Sequence, residues 1–296
     1  MLKIIRNFLN GLAFGITETI PGVSGGTIAI ILGFYFELIE AINHFTENTR
    51  KYLKLLAPLA LGMIAGIVLF SSVINFLLTN YSFPTMLFFI GLITGIIPPI
   101  FNKVKERGIR LKIREVILVV IPFALLALLA YLKKDIPVVK PEELIQNITI
   151  PYMIFIFISG ILAAAALVIP GISGSFVLLL LSVYPLAIYC IKSIGVYLSD
   201  VHNTVLLLNI CKVLGPLAIG VIAGGLCMTR IIEKLLKNYH KILYSIILGL
   251  LSGSVYFLFR DPMVYQSGIN LLIIIIGIVT FLLGCALAFI LGKKKI

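Results

Sequence analysis

The sequence predicts an all-α polytopic membrane protein of two inverted-topology repeats. Each repeat is an interrupted helix pair, spanning or re-entrant, followed by three transmembrane helices. Three observations carry this prediction. Of the 296 residues, 60 % are apolar and only 12 % charged, with a mean hydropathy of +1.15, whereas soluble domains carry about 25 % charged residues. Several apolar runs approach the ~20 residues that a helix needs to cross a bilayer, and none shows strand-like alternation. Finally, the chain repeats itself in order.

The repeat is read from three matches. Pro21-Gly22-Val23-Ser24-Gly25-Gly26 returns 149 positions later as Pro170-Gly171-Ile172-Ser173-Gly174-Ser175. The stretch from Ala57 to Gly66 returns 158 positions later as Gly215 to Gly224, and Gly91-Leu92-Ile93-Thr94-Gly95 returns at the same offset as Gly249-Leu250-Leu251-Ser252-Gly253. The halves are therefore residues 1–140 and 141–296, together one transport domain. The first half holds apolar runs 4–20 and 24–42 around the Pro-Gly motif, then 55–79, 82–101 and 115–132. The second holds 150–169 and 174–195, then 203–230, 241–259 and 269–291. Each interrupted pair enters and leaves on one side, and three crossings follow. An odd number of crossings inverts the second half relative to the first.

Charge supplies an independent test. The net charge is +12, which in a soluble domain would suggest nucleic acid. Here the basic residues lie between apolar runs and read as topology signals and contacts to membrane lipids, so no nucleic-acid partner is expected. A cytoplasmic N-terminus puts Lys3, Arg6, the 50–54 cluster, the 103–114 cluster, the 230–241 cluster and Lys293 to Lys295 on the cytoplasmic side. The 133–149 connection, mixed in charge, falls outside. The expected location is the cytoplasmic (inner) membrane, multi-pass, with both termini inside. The basic, apolar start of the chain reads as retained, because it runs directly into the first Pro-Gly motif.

Cys190, Cys211, Cys227 and Cys285 lie within or beside apolar runs without paired spacing and read as packing residues. His44, His202 and His240 are too scattered in sequence for a metal site. No nucleophile elbow, HExxH, P-loop or paired-carboxylate pattern is present, so neither an enzyme nor a cofactor is expected.

Candidate chemistry gathers at the repeated motifs. Proline and glycine break a helix inside apolar surroundings. Ser24 or Thr27, and Ser173 or Ser175, are placed to cap the helix that restarts, whose free N–H groups suit an anion. Glycine lets the backbone approach a ligand. The candidate substrate-binding set is Pro21, Gly22, Ser24, Gly25, Gly26 and Thr27 with Pro170, Gly171, Ser173, Gly174 and Ser175. Tight turns or close helix packing are the plain alternative.

Glu18 is the acid nearest the first motif, and Leu167 stands at its equivalent. An intramembrane acid is costly and is the candidate coupling group, with proton or sodium as coupling ion; a helix-end glutamate bonded to nearby backbone is the plainer reading. Lys54 and Lys212 share a repeat position, four residues before Pro58 and Pro216. They are candidate partners of an anionic head, Lys212 toward the outer leaflet and Lys54 toward the inner, unless both merely snorkel. Arg230 and Glu233 are spaced for an interfacial ion pair, and Ile231 to Lys241 could lie along the membrane surface.

The segment Glu18-Thr19-Ile20-Pro21-Gly22-Val23-Ser24-Gly25-Gly26-Thr27-Ile28-Ala29 resembles the signature of the polyprenyl-phosphate transporter family of the PopT type, formerly a domain of unknown function. Glutamate stands where many relatives carry aspartate. Ile169 to Phe176, with Leu178 to Leu181 and Tyr184, is similar to that family's second motif. The resemblance implies a flippase for undecaprenyl phosphate, returning this carrier lipid to the cytoplasmic leaflet for cell-wall polymer synthesis. The residues alone reach an anion site built on broken helices. They leave open an ion-coupled carrier or channel for a small anion and a membrane polyprenyl-diphosphate phosphatase.

Overall fold

The computed structural model describes residues 2–20, 23–105, 113–132, 141–145, 148–199, 202–266 and 270–295. Their regular elements are α1 (Leu2–Glu18), α2 (Gly25–Ile31), α3 (Tyr35–Asn43), α4 (Thr49–Asn80), α5 (Ser82–Lys105), α6 (Ile113–Leu132) and α7 (Pro141–Leu144). There follow α8 (Ile150–Val168), α9 (Gly174–Leu180), α10 (Tyr184–Ser199), α11 (Thr204–Asn238), α12 (His240–Phe259), a 3-10 turn (Pro262–Tyr265) and α13 (Leu271–Lys295). No strand occurs among the described residues. Seven of these helices, α4, α5, α6, α8, α11, α12 and α13, are long and apolar enough to cross a membrane.

The chain packs as two compact units. One contains the described residues up to Leu132, Ile169–Ile172, and Thr229 onward; the other contains the described residues from Pro141 to Val168 and the stretch Ser173–Met228. In the first unit α1 lies against α4, α5 against α13, and α12 against both α5 and α6. Close approach sets these pairs. A Cβ on Gly62 would fall 2.0 Å from the Phe8 carbonyl oxygen, and one on Gly91 would fall 2.2 Å from that of Phe281. Thr280 Oγ1 adds a hydrogen bond to the Pro84 carbonyl at 2.8 Å. Small residues and hydroxyls hold helices where lipid gives little hydrophobic incentive to associate.

In the second unit α8 lies against α9, and α7 against α10. Ile145, Ile156, Val183, Leu186, Cys190 and Val213 form its buried core. Here a Cβ on Gly220 would fall 2.1 Å from the Phe157 carbonyl oxygen. Gly220 and Phe157 are the repeat equivalents of Gly62 and Phe8, so the same backbone contact occurs once in each unit. The pairings of α5 with α13 and of α6 with α12 are likewise reciprocal, since α12 and α13 are the repeat equivalents of α5 and α6.

The structure revises three details of the sequence reading. The runs 24–42 and 174–195 are each broken a second time, with bends of 115° between α2 and α3 and 109° between α9 and α10. Gly33, at φ 69°, and Ser182, at φ 57°, stand at these breaks, 149 positions apart. Around Gly33, Phe34 N donates to Ala29 O and Gly33 N to Ile30 O; around Ser182, Val183 N donates to Leu178 O and Ser182 N to Leu179 O. Both are Schellman caps, which end a helix with one left-handed residue. Second, Ile231 to Lys241 is no separate surface helix. It is the end of α11, the turn at Tyr239 and the start of α12. Third, Glu233 pairs with Lys237 at 2.6 Å rather than with Arg230.

Candidate functional site

The first motif joins α1 to α2. Pro21 and Gly22 lie outside the described residues. On the α1 side, Thr17 Oγ1 and Thr19 Oγ1 donate to the carbonyls of Phe14 and Ile16, at 2.7 and 2.6 Å. These bonds keep both hydroxyls on their own helix. Glu18, between them, is left to reach across the break, and its Oε1 accepts the Gly25 N–H at 3.0 Å. Gly25 is the first residue of α2. A Cβ there would lie 2.5 Å from both Glu18 Oε1 and Phe14 Cζ, so only glycine leaves room for this carboxylate beside the ring.

The expected caps do not form. Ser24 is the N-cap residue of α2, but its side chain makes no capping bond. Ser24, 1 % exposed, and Thr27, fully buried, hold hydroxyls with no hydrogen-bond partner among the described residues. A buried hydroxyl without a partner costs about 1–3 kcal/mol. Two of them lie three residues apart, beside buried Gly25 and Gly26. Because α2 has only seven residues, its dipole is short. Hydroxyls and glycine N–H groups, more than a helix dipole, make this place suited to an oxyanion.

The second motif is built differently. Ser173 is again an N-cap without a side-chain capping bond, but Ser173 Oγ and Ser175 Oγ bond each other at 2.7 Å. Gly26 takes the place of Ser175 in the first motif, so Ser24 has no such partner. A Cβ on Gly174 would lie 2.6 Å from the Ala163 carbonyl oxygen and 3.1 Å from Leu167 Cβ. Leu167, the equivalent of Glu18, thus packs where Glu18 hydrogen-bonds. Gly174 fits the plain reading of close helix packing. Pro170 and Gly171 belong to the first unit. Gly171 has φ 98°, and its carbonyl accepts a hydrogen bond from Ser254 Oγ.

The two lysines are exposed side chains of separate units. Lys54 lies on α4 beside a cleft that also takes in Lys3, Arg6 and Lys51. Lys212 lies on α11 beside buried Val213 and makes no hydrogen bond or ion pair among the described residues.

A polar cluster that sequence spacing did not reveal joins α3 to the last turns of α11. Glu233 Oε2 accepts from Asn43 Nδ2 at 2.6 Å, and its Oε1 meets His44 Nε2 at 2.8 Å and Lys237 Nζ at 2.6 Å. Thr229 Oγ1 donates to Asn43 Oδ1 at 2.7 Å. The other ring nitrogen of His44 meets Glu47 Oε1 at 2.7 Å. Hydrogen bonds to Glu233 and then Glu47 hold the imidazole above its ordinary pKa of 6.5. The signal was too dispersed to find, since the partners are separated by 189 residues.

The family described as VCA0040-like, undecaprenyl phosphate translocase-like, matches residues 14–273. A polyprenyl-phosphate transporter of Staphylococcus aureus is 30 % identical over 97 % of this chain and 95 % of its own length. A polyprenyl-phosphate transporter of Vibrio cholerae is 28 % identical over 86 % of this chain and 77 % of its own. No solved structure matches the chain.

Proposed function

Because this chain belongs to the undecaprenyl phosphate translocase-like family, we propose that it transports polyprenyl phosphate and that the break between α1 and α2 receives the lipid's phosphate head. The supporting observation is the pair of buried, unpartnered hydroxyls of Ser24 and Thr27 beside the Gly25 N–H. A phosphate head has acceptor oxygens for all three donors. The prenyl tail needs no polar path, since it can remain in hydrocarbon while the head crosses.

Glu18 already takes one of those donors. Its carboxylate stands in for an anion at the Gly25 N–H, so an incoming phosphate competes with it. Protonation of Glu18 removes the like-charge repulsion and weakens its hold on Gly25. Glu18 is therefore the proposed coupling group, with a proton as the proposed ion. The second break offers the head fewer donors, because one hydroxyl of the Ser173–Ser175 pair is already engaged.

The remaining features belong to the same reading. The halves are inverted repeats, both termini are cytoplasmic, and the protein resides in the cytoplasmic membrane. It returns undecaprenyl phosphate from the outer to the inner leaflet for cell-wall polymer synthesis. The basic-residue bias supports the orientation.

Binding by the purified full-length protein tests the head site. Polyprenyl phosphate should bind in preference to inorganic phosphate and phosphatidylglycerol. Thr27→Val removes an unpartnered hydroxyl, so it should weaken that binding about tenfold while leaving thermal stability unchanged or raised. Retained affinity in Thr27→Val would remove the α1–α2 break from the head site. Preference for inorganic phosphate would favour a small-anion carrier.

A further inference from the structure

We infer that the cleft between α1, α3 and α4 is a second binding site, selective for lipids with a phosphomonoester head. The cleft has a volume of about 740 Å³, within the range of about 300–1,000 Å³ typical of small-molecule sites. Four cations line it: Lys3 and Arg6 from α1, and Lys51 and Lys54 from α4. Two carboxylates, Glu37 and Glu40 of α3, face them.

Those carboxylates engage only half of the cations. Arg6 Nη2 stands 3.7 Å from Glu37, and Lys51 Nζ stands 3.3 Å from Glu40. Every side chain in these pairs is more than half exposed, and exposed pairs contribute little. Lys3 and Lys54 make no ion pair among the described residues. The cleft therefore carries surplus positive charge and two free ammonium groups. Lys51 can also be released without orphaning its partner, since the Tyr52 hydroxyl donates to Glu40 at 3.0 Å.

Apolar side chains lie among these charges. Ile4, half-exposed, and Leu55 line the cleft with the four cations. Charge beside greasy surface suits an amphiphile better than a free anion. A phosphomonoester carries a charge of about −1.5 to −2 at pH 7 and three strong acceptor oxygens. A phosphodiester head has one charge and fewer free oxygens, so it matches two free ammonium groups less well. Glu37 and Glu40 keep the hold weak enough for the head to leave, as a waypoint requires. That the natural occupant is polyprenyl phosphate rests on the transport reading above; the selectivity for a phosphomonoester rests on the cleft alone.

The test is lipid binding by the full-length protein and its Lys3→Gln/Lys54→Gln variant, both substitutions lying on exposed side chains. The probes are a polyprenyl phosphate, phosphatidic acid, phosphatidylglycerol and inorganic phosphate. Phosphatidic acid should bind the wild type more tightly than phosphatidylglycerol, and the double variant should lose about tenfold in affinity for it. Lys3→Arg/Lys54→Arg should restore most of that affinity. Unchanged phosphatidic acid binding in the glutamine variant, or equal binding of phosphatidylglycerol, would overturn the cleft site. If the wild type ignores polyprenyl phosphate yet binds phosphatidic acid through these lysines, the transport reading fails and the cleft stands. Binding of inorganic phosphate alone would overturn the lipid assignment of both.

Discussion

Glu18 Oε1 accepts the Gly25 N–H at 3.0 Å, tying the last residue of α1 to the first of α2 across the helix break. The contact is possible because residue 25 has no side chain, and it sets a carboxylate at the N–H that the proposed scheme offers to a phosphate oxygen.

Substitution at the two motif glycines should separate site from scaffold. In Gly25→Ala the new methyl meets the far end of Glu18 and the Phe14 ring, and the carboxylate can swing away. Transport should be lost with a stability cost of about 1–3 kcal/mol. In Gly174→Ala the methyl meets the Ala163 backbone carbonyl, which cannot move independently of its helix. Thermal unfolding should show the larger loss in Gly174→Ala. A larger loss in Gly25→Ala would mean that the first motif is also a packing device.

Replacing Glu18 by Gln keeps the shape and an acceptor oxygen for Gly25 but removes the titrating group. Polyprenyl phosphate binding should persist, and the pH dependence of transport should disappear. A pH profile of transport in Glu18→Gln that superposes on that of the wild type would exclude Glu18 from coupling.

Much of the helical layout was legible because its signals are local: run length, repeat offset and Pro-Gly interruption. The second breaks were not. Gly33 carries a recognisable C-cap signal, but its equivalent Ser182 hides it, because a serine at positive φ has no distinctive sequence mark. The repeat predicted equivalent chemistry at both motifs. It could not show that Ser175 satisfies Ser173 while Gly26 leaves Ser24 unpartnered, since that difference is one of hydroxyl geometry. Likewise Glu233 seemed to belong with Arg230 three residues away, but Asn43 and His44 reach it from a distant part of the chain.

The Schellman caps give a stability prediction of opposite sign at equivalent positions. Ser182→Gly relieves a left-handed non-glycine residue and should stabilise by up to about 1 kcal/mol, after the entropy of the unfolded glycine is counted. Gly33→Ala should destabilise by about 1–2 kcal/mol. Melting temperatures of the two variants check this, and stabilisation by Gly33→Ala would contradict the assigned backbone conformation.

His44 links stability to pH with a defined sign. Its pKa is raised in the folded state by Glu233 and Glu47, so the folded protein binds the proton more tightly. The resulting stabilisation is fully present below pH 6.5, the ordinary value, and is lost as pH rises through the elevated folded value. The difference in melting temperature between wild type and His44→Gln should therefore shrink as pH is raised from about 5.5 to 8.5. A constant difference would show that the contact acts through its neutral hydrogen bonds alone.

The proposed transport carries a lipid phosphate head through the α1–α2 break. Its most direct test is transbilayer movement of a labelled polyprenyl phosphate in liposomes, with the head's accessibility read separately in each leaflet. Wild-type protein should equilibrate the lipid between leaflets, and Thr27→Val, folded and equally stable, should do so at least about tenfold more slowly. Equal rates for the two proteins, or no movement above protein-free liposomes, would contradict the account.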